Sequence, residues 1–363
     1  MTKTISLARG APSLDIIDVE GLRDAAARAF ANDPAGATAY GTAVGYLPLR
    51  RLIAGWHGVD ESRVLITNGS MQADAFLFDD RAQPGTQVIV ERPTYDRTLL
   101  ALRQRGADVH AVALEEDGID TAALEDLLTA GEVKPKLAHI IPNFQNPAGY
   151  TLSLAKRRRL LELAREHDFL IFEDDPYVAL RFRGESLPTM LSLDEGGEHV
   201  VYASSFSKTL CPGIRVGYLV GPAELIARIT KNATSTYISP GMVSAAITYE
   251  FCSSGALERS SARVRDALAE RCGRLAQRLA EALPQARFTA PDGGYFLWLG
   301  LGEDVDSTRL TAAAAEHGVA VVDGEDFMAD GHSHAIRLSF APVTAAEIDE
   351  AVPRLAAALA SLR

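Results

Sequence analysis

The chain has 363 residues, of which 47% are hydrophobic and 23% charged, and its formal net charge is -12. A chain of this length suggests two domains, or one large and one small. The acidic balance argues against a nucleic-acid surface and against an anionic membrane face. Cys211, Cys252 and Cys272 have neither disulfide nor metal-ligand spacing, which fits a reducing cytoplasm. The sequence shows no signal peptide and no membrane-spanning stretch, so we predict a soluble cytoplasmic protein without a metal site.

The N-terminal part of the chain predicts one edge strand and two helices. These elements cover residues 5–7, 18–31 and 47–58. Asp18 is a plausible N-cap for the first helix, because its carboxylate can accept a hydrogen bond from the first turn. A loop rich in glycine and tyrosine over residues 40–46 leads into the second helix.

Strands and helices then alternate along the chain. The predicted strands cover residues 64–67, 88–90, 109–114, 137–141, 169–172, 200–203 and 216–220. The predicted helices cover residues 71–80, 97–105, 121–130 and 154–167. This alternation predicts an α/β fold with a mostly parallel sheet and helices on both faces. Ligands bind such sheets at the carboxyl ends of the strands, where the polar segments of this chain lie.

The composition shifts after Gly255 and predicts a smaller α+β unit. Its predicted elements are helices over residues 256–283, 307–317 and 345–362 and strands over residues 296–299, 319–322 and 336–340. We predict that residues 42–250 form a large cofactor-binding domain. Residues 1–41 and 251–363 are then predicted to form the small domain.

The segment from Ser204 to Arg215 carries the strongest chemical signal. It follows an apolar strand and holds several hydroxyl side chains, Lys208 and, seven positions later, Arg215. Hydroxyl groups and a guanidinium are good phosphate ligands. A lysine that emerges from an apolar strand can be desolvated, which lowers the pKa of its amine and makes it a nucleophile. Together they describe a phosphorylated aldehyde held as a Schiff base, which is pyridoxal phosphate chemistry; a solvated lysine and an unrelated arginine are the alternative.

Two further segments have a functional and a structural interpretation. Ser70 follows Gly69 and opens a helix, whose exposed N–H groups can bind an anion, although serine is also a common N-cap. Asp174 follows an apolar strand, where its carboxylate could pair with a protonated pyridine nitrogen. The acidic run around Asp174 could instead be a solvated loop.

Four other side chains complete the candidate site. Asn146 and Tyr177 could hydrogen-bond the phenolate oxygen of the cofactor, although Asn-Pro by itself usually indicates a turn. Tyr95 could stack on the pyridine ring; both tyrosines could also be packing residues. Arg337 lies in an otherwise apolar strand and needs a partner when buried. A substrate carboxylate would satisfy it, and a structural ion pair is the alternative.

These motifs resemble those of the pyridoxal-phosphate-dependent aminotransferases of fold type I, class I/II. The similarity is greatest to the subgroup of 2-aminoadipate and kynurenine aminotransferases, which includes the aminotransferase-like halves of certain bacterial transcription regulators. The resemblance covers nearly the whole chain and implies an aspartate aminotransferase-like fold with a seven-stranded sheet in the large domain. The matching motifs are Tyr40-Gly41 with Gly45-Tyr46, Gly69-Ser70-Met71-Gln72, Pro93-Thr94-Tyr95, Gln145-Asn146-Pro147-Ala148-Gly149, Glu173-Asp174-Asp175-Pro176-Tyr177, Ser205-Phe206-Ser207-Lys208 with Arg215, and Ile336-Arg337-Leu338-Ser339.

The resemblance implies a role for each matching residue. Lys208 would form the internal aldimine with pyridoxal 5′-phosphate and move a proton between the substrate Cα and C4′ of the cofactor. Asp174 would keep the pyridine nitrogen protonated. The cofactor ring would be contacted by Tyr95, Asn146 and Tyr177. The phosphate would be bound by Ser70, the Met71 amide, Ser205, Ser207 and Arg215. The substrate carboxylate would be bound by Gly10, Asn146 and Arg337. Tyr40 would reach the phosphate of the neighbouring subunit, so the resemblance implies a homodimer with shared active sites.

The activity that the resemblance implies is transfer of an amino group from an L-amino acid to a 2-oxo acid, which we predict to be 2-oxoglutarate, by a ping-pong mechanism.

Relatives carry a segment before the Gly10 loop that helps to recognise the substrate side chain. This chain starts close to that loop, so we expect a more open pocket, or one closed by Arg9 or Tyr237. Met71 stands where relatives often have glutamine, which leaves the backbone N–H to bind phosphate.

Two other functions stay open from the sequence. The same fold and lysine also serve elimination, deamination and cyclisation of unusual amino acids in biosynthetic pathways. A non-catalytic ligand-sensing domain is the other alternative. Such a regulator would carry a DNA-binding module, and this chain shows no basic N-terminal region.

Overall fold

Residues 3–362 are described by the computed structural model and form thirteen strands and thirteen α-helices. The strands are β1 (Ile5–Ser6), β2 (Val64–Thr67), β3 (Gln87–Arg92), β4 (Asp108–Glu115), β5 (Gly118–Ile119), β6 (Leu137–Ile140), β7 (Leu170–Asp174), β8 (Val200–Ser205), β9 (Gly217–Val220), β10 (Phe296–Gly300), β11 (Val319–Ala320), β12 (Val322–Asp323) and β13 (Ala335–Ser339). The helices are α1 (Val19–Asn32), α2 (Pro34–Thr38), α3 (Leu47–His57), α4 (Ser70–Arg81), α5 (Asp96–Gln104), α6 (Thr121–Thr129), α7 (Leu154–His167), α8 (Met190–Leu193), α9 (Ala223–Tyr237), α10 (Met242–Ser253), α11 (Ala256–Ala282), α12 (Ser307–Glu316) and α13 (Ala345–Ala360).

The central sheet has the strand order β2-β9-β8-β7-β6-β3-β4-β5 in the described part of the chain. Neighbouring strands from β8 to β4 are parallel, whereas β9 is antiparallel to both β2 and β8. The mostly parallel sheet that the alternation predicts is therefore confirmed. Strand β5 adds an eighth, two-residue strand, antiparallel to β4, because the chain turns back directly after β4.

Both faces of the central sheet are buried under helices. Successive residues of a strand point to opposite faces, and accordingly Ile171 belongs to one hydrophobic core whereas Leu170 and Phe172 belong to another. Helices α3, α6, α7 and α10 contribute to the first core, and α4, α5 and α9 contribute to the second. Burial on both faces explains why these strands are continuous apolar runs that end abruptly in polar residues.

A second, smaller set of strands lies in the C-terminal part of the chain. Strands β10, β13 and β12 form an antiparallel sheet, and β11 pairs in parallel with β1. The prediction of a single strand over residues 319–322 was wrong, because β11 and β12 pair with strands of two different sheets. Val321 lies between them and is buried.

Both ends of the chain contribute to the core of this smaller part. Ile5 and Leu7 pack in one hydrophobic cluster with apolar residues of α11, α12 and α13. Helix α1 packs against α10 instead, and its buried Ala25 and Ala29 belong to a core of the central sheet. The domain division into residues 42–250 and residues 1–41 with 251–363 stays a prediction.

The sequence predicts most helices of the chain but not all of them. Asp18 accepts a hydrogen bond from the Gly21 N–H at 3.1 Å and begins α1 as predicted. Helices α9 and α10 lie in a segment for which the patterns predict no helix. The residues that precede them, Pro222 and Gly241, provide no side-chain cap. No helix within residues 3–362 is both long enough and apolar enough to cross a bilayer.

Candidate active site

Polar side chains from several segments line one cavity at the carboxyl ends of β6, β7 and β8. The cavity measures about 690 Å³, including space open to solvent. Its lining residues are Ser70, Met71, Tyr95, Ile141, Asn146, Asp174, Pro176, Tyr177, Ser205, Ser207, Lys208, Pro212 and Arg215. The structure therefore brings together all the predicted cofactor-binding residues except Tyr40.

Lys208 follows β8 and places its amine in the cavity. Its Nζ donates a hydrogen bond to the backbone carbonyl of Gly10 at 2.5 Å. Burial, together with the charges of Arg337 and Arg215, lowers the pKa of this amine to about 8, and the charge of Asp174 opposes them. A substantial fraction of the amine is consequently neutral near physiological pH, which a nucleophile or a general base requires.

One end of the cavity is a cup of anion-binding groups. Arg215 donates from Nη1 to Ser207 Oγ at 3.2 Å and from Nη2 to the Asn68 carbonyl at 3.1 Å. Ser205 Oγ lies 3.0 Å from Ser207 Oγ. The helix α4 begins at Ser70 and directs its first N–H groups to this end, which favours a phosphate.

Gly69 makes the cup possible. Its φ of 82° lies in the left-handed region that favours glycine. A Cβ at this position would also lie 2.2 Å from Nη2 of Arg215. Glycine therefore lets the start of α4 and the Arg215 guanidinium meet.

Asp174 ends β7 as a buried carboxylate that is 4% exposed. Its Oδ2 lies 3.5 Å from Nε2 of His139 on the neighbouring strand β6. Among residues 3–362 nothing hydrogen-bonds its buried Oδ1. Burial and the charge of Asp174 raise the pKa of the nearby Asp74 carboxyl well above its usual value. His139 and Asp74 carry no sequence signal, because a histidine in a strand and an aspartate in a helix are both common.

Arg337 projects from β13 into a buried position. It donates from Nη1 to Asn146 Oδ1 and from Nη2 to the Ala8 carbonyl, both at 2.9 Å. The guanidinium carbon lies 4.2 Å from the ring centre of Phe296 and 4.8 Å from that of Phe327. Burial lowers the pKa of Arg337. Both hydrogen bonds go to uncharged oxygens, and no described residue bonds its buried Nε, so the charge still lacks a counterion in these contacts.

Besides Gly10 and Arg337, three further residues singled out from the sequence lie outside the cavity lining. Tyr40 is 90% exposed in the single chain, and Arg9 is exposed as well. Tyr237 donates its hydroxyl to the backbone carbonyls of Ala43 and Ile66 at 2.9 and 3.3 Å. Its polar group is therefore already used in backbone contacts, and the hypothesis that Tyr237 closes the pocket stays a prediction.

Several aromatic residues near the site were not predicted. Tyr295 and Phe296 follow Gly293-Gly294, and Phe327 belongs to a short 3-10 turn over Gly324–Phe327. The glycine pair is the signal that could have revealed the first two, since consecutive glycines often mark a close approach of the backbone.

One cavity holds three chemical groups: a desolvated amine, an anion-binding cup, and a buried carboxylate oxygen that has no hydrogen-bond partner among the described residues. Set at the strand ends of an α/β fold, they define an enzyme of the pyridoxal-phosphate class.

Comparison with known proteins identifies the family. The model of the family "Aminotransferase class I and II" matches residues 2–355. The chain is 34% identical to the 2-aminoadipate transaminase of Thermus thermophilus, over 99% of this chain and 90% of the relative. It is 33% identical to aromatic-amino-acid aminotransferase 1 of Thermococcus litoralis, over 97% of this chain and 87% of the relative. The chain belongs to the aminotransferase class I and II family.

The solved structures agree with this assignment. The α-aminoadipate aminotransferase of Thermus thermophilus, complexed with N-(5′-phosphopyridoxyl)-L-leucine, superposes with a TM-score of 0.94 at 33% identity, over 99% of this chain and 92% of that chain. The fold is the aspartate aminotransferase-like fold that the sequence predicts. The protein is a pyridoxal-phosphate-dependent aminotransferase.

The side chains of the cavity fit this cofactor. The cup around Arg215 offers hydroxyl, guanidinium and backbone N–H donors to a phosphate. The Asp174 Oδ1 atom, without a hydrogen-bond partner among the described residues, offers an acceptor to a protonated ring nitrogen. The Lys208 amine offers a nucleophile to the aldehyde.

Proposed function

We propose that this aminotransferase moves the amino group of an L-amino acid to 2-oxoglutarate by a ping-pong mechanism. The observation that supports this proposal most directly is the Lys208 amine, with a pKa of about 8, in one cavity with the anion cup and Asp174. Arg337 is joined to this cavity through its hydrogen bond to Asn146.

We assign the cofactor contacts on the same basis. Asp174 would accept a hydrogen bond from the protonated ring nitrogen, Tyr95 would stack on the ring, and Asn146 and Tyr177 would donate to the ring oxygen. The phosphate contacts come from Ser70, the Met71 N–H, Ser205, Ser207 and Arg215.

The chemical steps then depend on a few groups of the protein. When bound, pyridoxal phosphate supplies the electron sink for the electron pair released at the substrate Cα. The Nζ of Lys208 would take the proton from the substrate Cα and would return it at C4′ of the cofactor. A general base works best when its pKa lies near the operating pH, and the lowered pKa of Lys208 meets this condition.

The half-reactions provide the test. The cofactor-loaded protein is mixed with one L-amino acid and no acceptor; L-2-aminoadipate, L-kynurenine and L-phenylalanine are the first choices because relatives are named for such donors. We expect one equivalent of the matching 2-oxo acid per site by mass spectrometry, and glutamate after 2-oxoglutarate is added. Product that forms only with both substrates present would refute the ping-pong order. Release of ammonia or carbon dioxide would indicate the elimination or decarboxylation chemistry of the same fold.

Arg337 is proposed to hold the substrate carboxylate together with Asn146 and the Gly10 backbone. Arg337→Lys is expected to lower kcat/KM for donor and acceptor alike by about 10²-fold, mainly through KM, because a point charge replaces a bidentate fork. The matched control is Arg271→Lys, since Arg271 is also buried but bonds Ser13, Asp15 and Ala341 of the fold. An Arg337→Lys enzyme with an unchanged KM for both substrates would contradict this role.

We further propose a homodimer in the cytoplasm. Tyr40 and Val243 are 90% and 41% exposed and line the same surface groove, and contiguous exposed apolar side chains often mark an interface. Three free cysteines support a reducing compartment. In this proposal Tyr40 reaches the phosphate in the partner subunit.

Shared sites predict complementation between two inactive variants. Tyr40→Ala and Lys208→Ala chains, co-expressed and purified through two different tags, are expected to regain about half of the wild-type activity, because one of the two sites in each mixed dimer is complete. Mixed dimers of Lys208→Ala with Asp174→Ala serve as the control and should stay inactive, since both of their sites are damaged. If the Tyr40→Ala mixture shows no gain over its parents, the sites are not shared through Tyr40.

A further inference from the structure

The segment Gly293–Phe296 contacts three separate parts of the active site. The Gly294 N–H donates to the Leu180 carbonyl at 3.2 Å, just after the Tyr177 turn. The Tyr295 hydroxyl donates to the backbone carbonyl of Lys208 at 3.1 Å. The Phe296 ring packs under the Arg337 guanidinium at 4.2 Å. The segment therefore links the smaller sheet to the proposed base and to the proposed carboxylate clamp.

The two glycines permit this close approach. A Cβ at Gly293 would lie 2.3 Å from Cζ of Phe144 and 2.6 Å from the Leu180 carbonyl. Gly294 has a φ of 70°, and a Cβ there would lie 2.4 Å from Cβ of Phe144. Only a chain without side chains at both positions can bring Tyr295 to Lys208 along this path.

Tyr295 is well suited to hold its partner in place. It is 0% exposed, and burial raises the pKa of its hydroxyl, so the hydroxyl keeps its proton and donates at any physiological pH. The ring centres of Tyr295 and Tyr177 lie 5.4 and 5.7 Å from Nζ of Lys208 and 5.6 Å from each other. The two rings thus lie next to each other against the lysine amine.

We propose that Tyr295 is a positioning residue for Lys208: its hydroxyl anchors the lysine backbone, and its ring, with that of Tyr177, keeps the amine out of water. This inference depends on the proposed role of Lys208 in amino transfer. The backbone anchor matters because the long lysine side chain is flexible, and the position of its amine depends on where its Cα is held.

The first test uses the protein without cofactor, so that it does not depend on turnover. Acetylation of Lys208 by acetic anhydride is followed by peptide mass spectrometry across pH, because only the neutral amine reacts. Wild-type labelling should rise with a midpoint near pH 8, in line with the lowered pKa. In Tyr295→Phe the freed lysine gains water, so the midpoint should rise by about half a pH unit or more. This variant leaves the charged groups around the amine unchanged, namely Arg215, Arg337 and Asp174.

Tyr202→Phe is the matched control. Tyr202 is 1% exposed and lies on β8, in the strand that leads to Lys208, but packs against His57. Its substitution also removes one buried hydroxyl, and it should leave the labelling midpoint and kcat at wild-type values. Melting temperatures of both variants report any general loss of stability.

The loaded enzyme gives the second readout. Tyr295→Phe should lower kcat by about tenfold, because a displaced base loses its alignment. The KM of the donor should change less than about twofold, since the carboxylate clamp is untouched. A labelling midpoint and a kcat that match wild type would overturn the proposal, whatever happens to the melting temperature. If Tyr295→Phe does not fold, Tyr295→Met is judged by the same criteria.

The two proposals fail in different ways. If wild-type protein moves no amino group from any donor, the proposed function fails, yet the labelling of the cofactor-free protein still decides the role of Tyr295. If wild type is active and the Tyr295 variants behave like wild type, only the positioning role is lost.

Discussion

Lys208→Ala is expected to reduce the rate of amino transfer by about 10⁴-fold or more. General acid–base catalysis by one positioned side chain typically contributes about 10²–10⁴-fold to a rate. Lys208 is also the nucleophile toward the cofactor, so its loss should cost more than this contribution alone. The loss should fall on kcat, since the anion cup and Arg337 stay intact. Single-turnover formation of the 2-oxo acid, measured by rapid quench, isolates this step from product release.

Two controls separate the chemistry of Lys208 from its structural effect. Lys136→Ala removes an exposed lysine that pairs with Asp168 at 3.8 Å. Lys136 directly precedes β6, at the end of the strand opposite the cavity, so its loss should not change kcat. Added methylamine should partly restore the Lys208→Ala enzyme, because a small amine can enter the space of the lost side chain and move the proton. Activity of Lys208→Ala within about tenfold of wild type would contradict its role as the base.

Asp174→Asn is expected to lower kcat by about 10²–10³-fold, the usual cost of removing one preorganised electrostatic contact from a site. A neutral amide cannot stabilise the protonated ring nitrogen, so the electron pair released at Cα is held less well. Cofactor affinity, measured by equilibrium dialysis, should weaken far less than kcat, because most of the phosphate contacts lie in the cup around Arg215.

Asp175→Asn is the matched control for this prediction. Burial, with the charge of Glu173, raises the pKa of the neighbouring Asp175 to about 8. Its carboxyl is therefore mostly protonated at pH 7, and the asparagine amide imitates that neutral form. We expect near-normal kcat for Asp175→Asn at pH 7. Equal losses in the two variants would mean that the effect of Asp174 is structural and not electrostatic.

Much of the cofactor cavity could be predicted because its chemistry sits in short motifs at strand ends. Asp174 and Ser205 each end an apolar strand, and parallel strands bring their carboxyl ends to one edge of the sheet. The order of strands and polar segments in the sequence therefore already indicates which polar groups lie together at this edge of the sheet. Arg337 could be singled out for a different reason, since a charge within an apolar strand requires a partner.

Other features depend on contacts that no local pattern records. The run over residues 319–322 resembles one strand, but its two halves pair with different sheets. Helices α9 and α10 were not predicted; they pack against α4 and α1, which lie far away along the chain. Tyr237 resembles a pocket residue in sequence, yet its hydroxyl is used by the carbonyls of Ala43 and Ile66.

The sequence by itself determined the family, the α/β fold, the cofactor and the polar groups that line its cavity. The tertiary structure alone decided that the Tyr295 hydroxyl reaches the carbonyl of Lys208, 87 residues away along the chain. It also decided that Asp174 keeps an oxygen without a hydrogen-bond partner among the described residues. The physical reason is that strand-end motifs follow from local periodicity in the sequence. These contacts instead arise where the smaller sheet packs against the central one. Packing between distant segments depends on the shape of both surfaces, which no local pattern records.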